Sequence, residues 1–141
     1  MDKMKFPPFS LTRLMRTVFQ PQGGERLALL IDLKDPHEVK DLAFLKNPDY
    51  SIQRHAHDVF YQGFRNGTLT ELGMQGGDLF AFQETGGSNL DLPDAALDPS
   101  GKIWSLEKDI YPNYDLILCM STFSTTAPLT AFAKRHGFRG A

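Results

Sequence analysis

One cysteine, Cys119, in 141 residues leaves no internal disulfide to form. Its place inside an apolar run marks the thiol as a small packed hydrophobe, which suits a reducing cytoplasm. No stretch approaches the ~18 apolar residues that a membrane helix needs. The opening MDKMKFPPFS carries lysines with no apolar segment behind them, so we expect neither an export signal nor a membrane span, and a cytoplasmic protein. Charge runs are also missing. A formal net charge of -2 and a sequence pI near 6.0 give no pull toward nucleic acid or acidic membranes. Neither the dinucleotide fingerprint G-x-G-x-x-G nor the nucleophile elbow G-x-S-x-G occurs anywhere in the chain.

What is present reads as one α/β domain over residues 1–141, a length that buries a core without disulfides or metal. Leu11, Leu14, Met15 and Val18 recur at helical spacing between Ser10, a candidate N-cap, and Pro21 with Gly23-Gly24. ERLALLIDL is an unbroken apolar run bounded by Gly-Gly and Asp-Pro, the pattern of a strand buried on both faces. Asp35-Pro36-His37-Glu38 has the form of a capping box and predicts a short helix to about Lys46. From Tyr50 a second helix sets Ile52, Ala56, Val59, Phe60, Gly63 and Phe64 on one stripe and closes at Asn66-Gly67. Thr68 to Thr70 reads as a short strand or edge, and Asp78 to Thr85 as a further strand.

Gly86 to Gly101 has the Gly, Pro, Asp and Ser content of a long loop. A short helix around Ser105 to Asp109, a strand from Asp115 to Met120 and a helix from about Ala127 to His136, stopped at Gly137, complete the chain. Phe138 to Ala141 looks like the approach to another strand. The fold class expected is three-layer: a small, mostly parallel sheet of two to four strands flanked by helices, an incomplete doubly wound, Rossmann-like domain. Such a sheet leaves an edge open for a neighbour, either the rest of a longer protein or a second copy.

The candidate ligand site is the hydroxyl loop after the last long strand, Ser121, Thr122, Ser124, Thr125 and Thr126, with Asp32 and Glu84 ending neighbouring strands. In doubly wound sheets ligands sit outside the carboxyl ends of strands, and a helix start there favours anions. The simpler account is structural: Thr125 or Thr126 caps the helix, and the other hydroxyls satisfy turn backbone.

His55 and His57 lie two apart on a helix and point in different directions, so they do not share a metal ion; His57 is expected on the solvent side and His55 at the core's edge. His37 and His136 fall at helix ends, where no catalytic role is required of them. A serine hydrolase reading of Ser121 fails because His136 lies ~15 Å or more away along the following helix.

Two segments together carry a family resemblance: FAFQETGGSNLDLPDAAL, then YPNYDLILCMSTFSTTAPLTAFAKRHGFRGA. With the early ERLALLIDL strand and its Asp-Pro exit, their order resembles the N-terminal domain of the thermophilic metallo-aminopeptidases, aminopeptidase T and its relatives. The resemblance implies a non-catalytic domain that helps to shape the cleft or dimer of a downstream catalytic domain. Divalent metal and its carboxylate and histidine ligands would belong to that later domain. No residue of this chain matches them, so the chain itself would carry no cofactor and no peptidase activity. The alternative is a free-standing module that binds a small anion or carboxylate through the loop, Asp32 and Glu84.

Overall fold

In the computed structural model, which describes residues 11–19, 23–87, 91–123 and 125–140, six strands form one mixed sheet flanked by helices. The strands are β1 (Arg26–Leu33), β2 (Gln75–Gln83), β3 (Ala95–Leu97), β4 (Ile103–Ser105), β5 (Leu116–Met120) and β6 (Arg139–Gly140). Their spatial order is β4-β3-β2-β1-β5-β6. β1 runs parallel to both β2 and β5, and β5 parallel to β6, whereas β3 and β4 join antiparallel at the β2 edge.

The apolar run of β1 is explained by its position. Leu27, Leu29, Ile31 and Leu33 enter one core layer, and Ala28 and Leu30 enter the other, all fully buried. A strand in the middle of a sheet covered on both faces has no solvent side, so its sequence cannot alternate. The first layer is completed by α1 (Leu11–Phe19), the 3-10 segment Pro36–Lys46 and the helical run that begins with α2 (Ser51–His55). The second is completed by the helical turns from Leu106 to Asn113 and by α4 (Thr126–His136). The chain leaves β1 toward β2 on one side and β5 toward β6 on the other. With right-handed crossovers, opposite directions of travel put the connecting helices on opposite faces.

Several elements differ from their sequence expectation. Gly86 to Gly101 is not one long loop, because Ala95–Leu97 pairs with β2 and the chain turns back through Gly101 into β4. Both strands are only three residues long, too short for an alternating pattern to register. Thr68 to Thr70 is helical, not a strand. The helix from Ser51 passes through wide π turns at Ala56–Tyr61 and Phe64–Thr68, is kinked at Gly67, and resumes as α3 (Leu69–Leu72).

The buried face of this run lies to one side of the apolar stripe: Gln53, Ala56, His57, Phe60 and Phe64 are buried, a set that keeps ordinary helical spacing. Ile52 is 41% exposed while Gln53 is 1% exposed, and His57 is buried while His55 faces solvent, the reverse of the expected pair. The segment Pro36–Lys46 is interrupted at Lys40, Asp41 and Leu42, so it is two short turns and not one helix. Its cap is Asp35 Oδ1 accepting from the His37 N–H at 3.0 Å. Ser10 and Pro21, the expected boundaries of α1, lie outside the described residues.

Two glycines set the packing distances. At Gly63 an added Cβ would lie 2.5 Å from the Leu11 side chain, so its absence lets α1 close onto the second helical run. Gly76 holds φ at +86° where β2 bulges against β1 between Leu27 and Ala28. A Cβ there would meet the Leu27 carbonyl oxygen at 2.6 Å.

Candidate functional site

β1 has one sheet neighbour reached by the first crossover and another reached later, so the loops leaving β1 and β5 diverge to opposite faces. The crevice between two such strand ends is where α/β sheets commonly hold ligands. Asp32 stands there, 1% exposed.

Its carboxylate is held on several sides by this chain's own donors. Thr122 N–H lies 2.9 Å from Oδ1 and 3.0 Å from Oδ2, and Phe123 N–H reaches Oδ2 at 3.5 Å. The Gln53 side-chain amide nitrogen lies 2.6 Å from Oδ1, 2.8 Å from the Asp32 backbone oxygen and 2.9 Å from Thr122 Oγ1. A buried carboxylate needs such donors to offset lost hydration. The result is a clamp that ties the carboxyl end of β1, the start of α2 and the loop after β5 together.

Of the seven residues expected to form a site, Asp32 and Thr122 are brought into direct contact. Ser121 lies beside them, but its hydroxyl turns inward and donates to the Phe123 carbonyl at 2.6 Å. Thr125 is buried and occupies the N-cap position of α4, yet its hydroxyl makes no cap bond; the expected side-chain cap is absent at this residue. The Thr125 hydroxyl instead bonds toward the Cys119 thiol. Thr126 opens α4, while Ser124 lies outside the described residues. Glu84 ends near the same sheet edge through its backbone N–H, which donates to the Leu33 carbonyl at 3.0 Å, but its carboxylate does not join the Asp32 cluster.

Gln53 is the member that sequence reasoning missed. A single amide in the first turn of a helix gives no signal until the helix phase is known. The apolar stripe through Ile52, Val59 and Gly63 is centred to one side of the buried face, on which Gln53 and His57 are polar and give no hydrophobic signal.

Beside the clamp, the end of β5, one flank of α4 and β6 border a groove of about 700 Å³. Cys119, Met120, Leu129, Ala133 and Phe138 give it an apolar lining, with Lys134 at its rim. Burial pushes the Cys119 thiol up to about 11, against the hydroxyls of Thr125 and Ser121, which lower it. At neutral pH it is a packed thiol and not a nucleophile.

A second cavity of about 320 Å³ lies near the opposite ends of the parallel strands, between Arg26, Asp78, Trp104 and Tyr114. There the Tyr114 hydroxyl donates to Asp78 Oδ2 at 2.5 Å, and the Arg26 guanidinium sits 5.0 Å over the Tyr114 ring. Burial first, and then the bond to Asp78, raise the Tyr114 pKa strongly.

Among the described residues no group of three or more His, Cys, Asp and Glu side chains is arranged to hold a metal ion. No helix there is long and apolar enough to cross a membrane. No family model matches the chain, and neither a curated protein nor a solved structure matches it.

Proposed function

We propose that this chain is a non-catalytic α/β domain, the first part of a doubly wound, Rossmann-like arrangement, that packs against a further folded unit and helps to shape that unit's cleft or dimer. The observation that carries the reading is the Asp32 clamp. The backbone N–H groups at the sheet's switch point, which would otherwise attract a ligand anion, already serve the protein's own carboxylate. The likeness of the β5 strand, hydroxyl loop and α4 segments to the metallo-aminopeptidase N-terminal domain makes a metal-dependent catalytic domain the unit we favour as neighbour. Divalent metal and peptide hydrolysis would then reside in that neighbour.

The test is an assay of the purified chain on aminoacyl substrates with zinc, cobalt or manganese, beside thermal shift with phosphate, adenine nucleotides and amino acids. We expect no hydrolysis and no stabilisation. Metal-dependent release of product would overturn the non-catalytic reading.

The alternative, a free-standing module for a small anion or carboxylate, is favoured by the groove, whose volume is in the range of ligand pockets. A ligand at ~100 times its dissociation constant would add about 2.7 kcal/mol of stability. A shift of that size with any of those compounds would favour the module over the packing domain.

A further inference from the structure

The smaller cavity, at the sheet end away from the Asp32 clamp, exists because the β3–β4 hairpin leaves β2 early. β3 pairs with β2 only at Ala81 and Phe82, and the next rung of that register sets Leu79 against Pro99, which has no N–H to give. The Pro99 carbonyl instead accepts from the Asp41 N–H at 2.8 Å. A notch of about 320 Å³ opens there beside Asp78 and Leu79. Three rings of its lining, Tyr61, Trp104 and Tyr114, each have a cation over one face: Arg65 at 5.4 Å, Lys102 at 4.2 Å and Arg26 at 5.0 Å from the ring centroid. All three cations are exposed, and none forms an ion pair with a carboxylate among the described residues. The notch's two carboxylates differ in how well they are served. Asp98 takes four donors, the Ser100 N–H and hydroxyl, the Lys102 N–H and the Trp104 indole. Asp78, half-buried, takes the Tyr114 hydroxyl on Oδ2, and its Oδ1 has no partner among the described residues.

We propose that this notch binds a free guanine nucleotide. Aromatic walls favour a flat ring that stacks. The unserved oxygen of Asp78 calls for N–H donors on that ring's edge, because a carboxylate accepts and does not donate. Guanine sets a ring N–H and an exocyclic amino group side by side on one edge, whereas adenine turns a ring lone pair to the same place. The three exposed cations call for an anionic group beyond the ring, held by side chains and not by a glycine-rich loop. The volume lies at the small end of ligand pockets and suits one base with its sugar, which leaves the phosphate to the exposed cations. A net charge of -2 opposes the approach of a polynucleotide, so the occupant is a mononucleotide. The site shares no residue with the Asp32 clamp, and it adds to the packing role without resting on it.

The test adds guanosine monophosphate to the full chain and follows the heat of binding and the indole N–H resonance of Trp104, the single tryptophan. Saturable binding that moves this resonance is expected. Inosine monophosphate, which lacks the exocyclic amino donor, should bind about tenfold more weakly, and adenosine monophosphate more weakly still. Guanosine, without the phosphate, should bind more weakly than its nucleotide and show little dependence on salt. Lys102→Glu and Arg65→Glu, on exposed positions, should each weaken the nucleotide by about two- to fivefold and leave guanosine unchanged, a split that a purely structural role would not give. Asp78→Asn should erase the preference for the guanine over the inosine nucleotide. Several results would overturn the proposal: no binding at millimolar guanosine monophosphate, equal binding of adenosine monophosphate, tighter binding of a single-stranded guanine-containing RNA, or shifts confined to the Thr122 and Phe123 amides. Silence toward guanosine monophosphate in a chain that neither hydrolyses substrates nor responds to phosphate removes this inference alone. Hydrolysis of aminoacyl substrates removes the packing role whatever the nucleotide does.

Discussion

Replacing Asp32 by alanine separates a structural carboxylate from a functional one by the sign of the stability change. The substitution deletes the acceptor for Thr122 N–H at 2.9 Å and for the Gln53 amide at 2.6 Å. Hydrogen bonds to a charged group are worth about 1.5–3 kcal/mol each. The loss is less than two full bonds, because the Gln53 amide keeps the Asp32 backbone oxygen at 2.8 Å and Thr122 Oγ1 at 2.9 Å, and Thr122 is open to water. Removing the charge also removes its burial penalty. We expect a net cost of about 2–4 kcal/mol from these terms.

Gln53→Leu, which leaves the carboxylate with the loop N–H groups alone, should cost about 1–3 kcal/mol. The double variant should fall short of the sum by about 1–2 kcal/mol, since the two residues share one bond network. Urea unfolding followed by circular dichroism measures all four corners, and an unchanged m-value shows that the unfolded state is comparable throughout. An Asp32→Ala chain as stable as the parent, or more stable, would refute the clamp. It would mean that the carboxylate is kept at a cost to the fold, the signature of a functional group.

Acid should weaken the β3–β4 hairpin. The Ser105 hydroxyl, then the Glu107 backbone N–H, hold Asp94 below its ordinary pKa; burial pushes Asp98 up, but its bonds from Ser100, Trp104 and Lys102 outweigh that and leave it lowered. A carboxylate with a lowered native pKa contributes stability above the unfolded value of about 3.9, and that contribution drains away as pH falls through the native pKa. The single tryptophan, Trp104, donates to Asp98 Oδ2 at 2.9 Å, so its fluorescence should report the change below pH ~3.9, and Asp98→Asn should blunt it. Gly76→Ala should cost about 1–3 kcal/mol for the left-handed backbone alone, and more for the contact with the Leu27 carbonyl, in the same urea measurement; a neutral result would show that the bulge relaxes freely.

The mixed α/β class and the parallel pairing of the long strands were legible because burial on both faces writes an unbroken apolar run, as in Leu27 to Ile31. The turn residues were legible too: Gly137 donates to the Ala133 carbonyl at 2.8 Å and ends α4 where expected. The antiparallel hairpin was not, since Ala95–Leu97 and Ile103–Ser105 owe their strand form to pairing with β2 and each other, a tertiary cause. Asp32 and Thr122 were found at one sheet edge by reasoning from strand ends alone. Gln53 and the inward turn of His57 were not legible, because the buried set Gln53, Ala56, His57, Phe60 and Phe64 includes two polar residues, and a stripe drawn through apolar residues alone is centred to one side of it.

The clamp has a further consequence for anion binding. A free anion approaching Thr122 and Phe123 must displace a carboxylate that the fold holds in place, and it must also sit beside that negative charge. Tethering gives the resident group an effective concentration in the millimolar range or above, so a dilute phosphate competes poorly even before repulsion. Deleting the resident group reverses both terms. Asp32→Ala should therefore gain a response to phosphate that the parent chain lacks, seen as a rise in melting temperature that grows with phosphate and is not reproduced by chloride at equal ionic strength. The variant is less stable overall, so the comparison is the phosphate-dependent increment within each chain. If the parent gains the larger increment, the loop N–H groups were free for a ligand all along, and Asp32 assists an anion site instead of filling it.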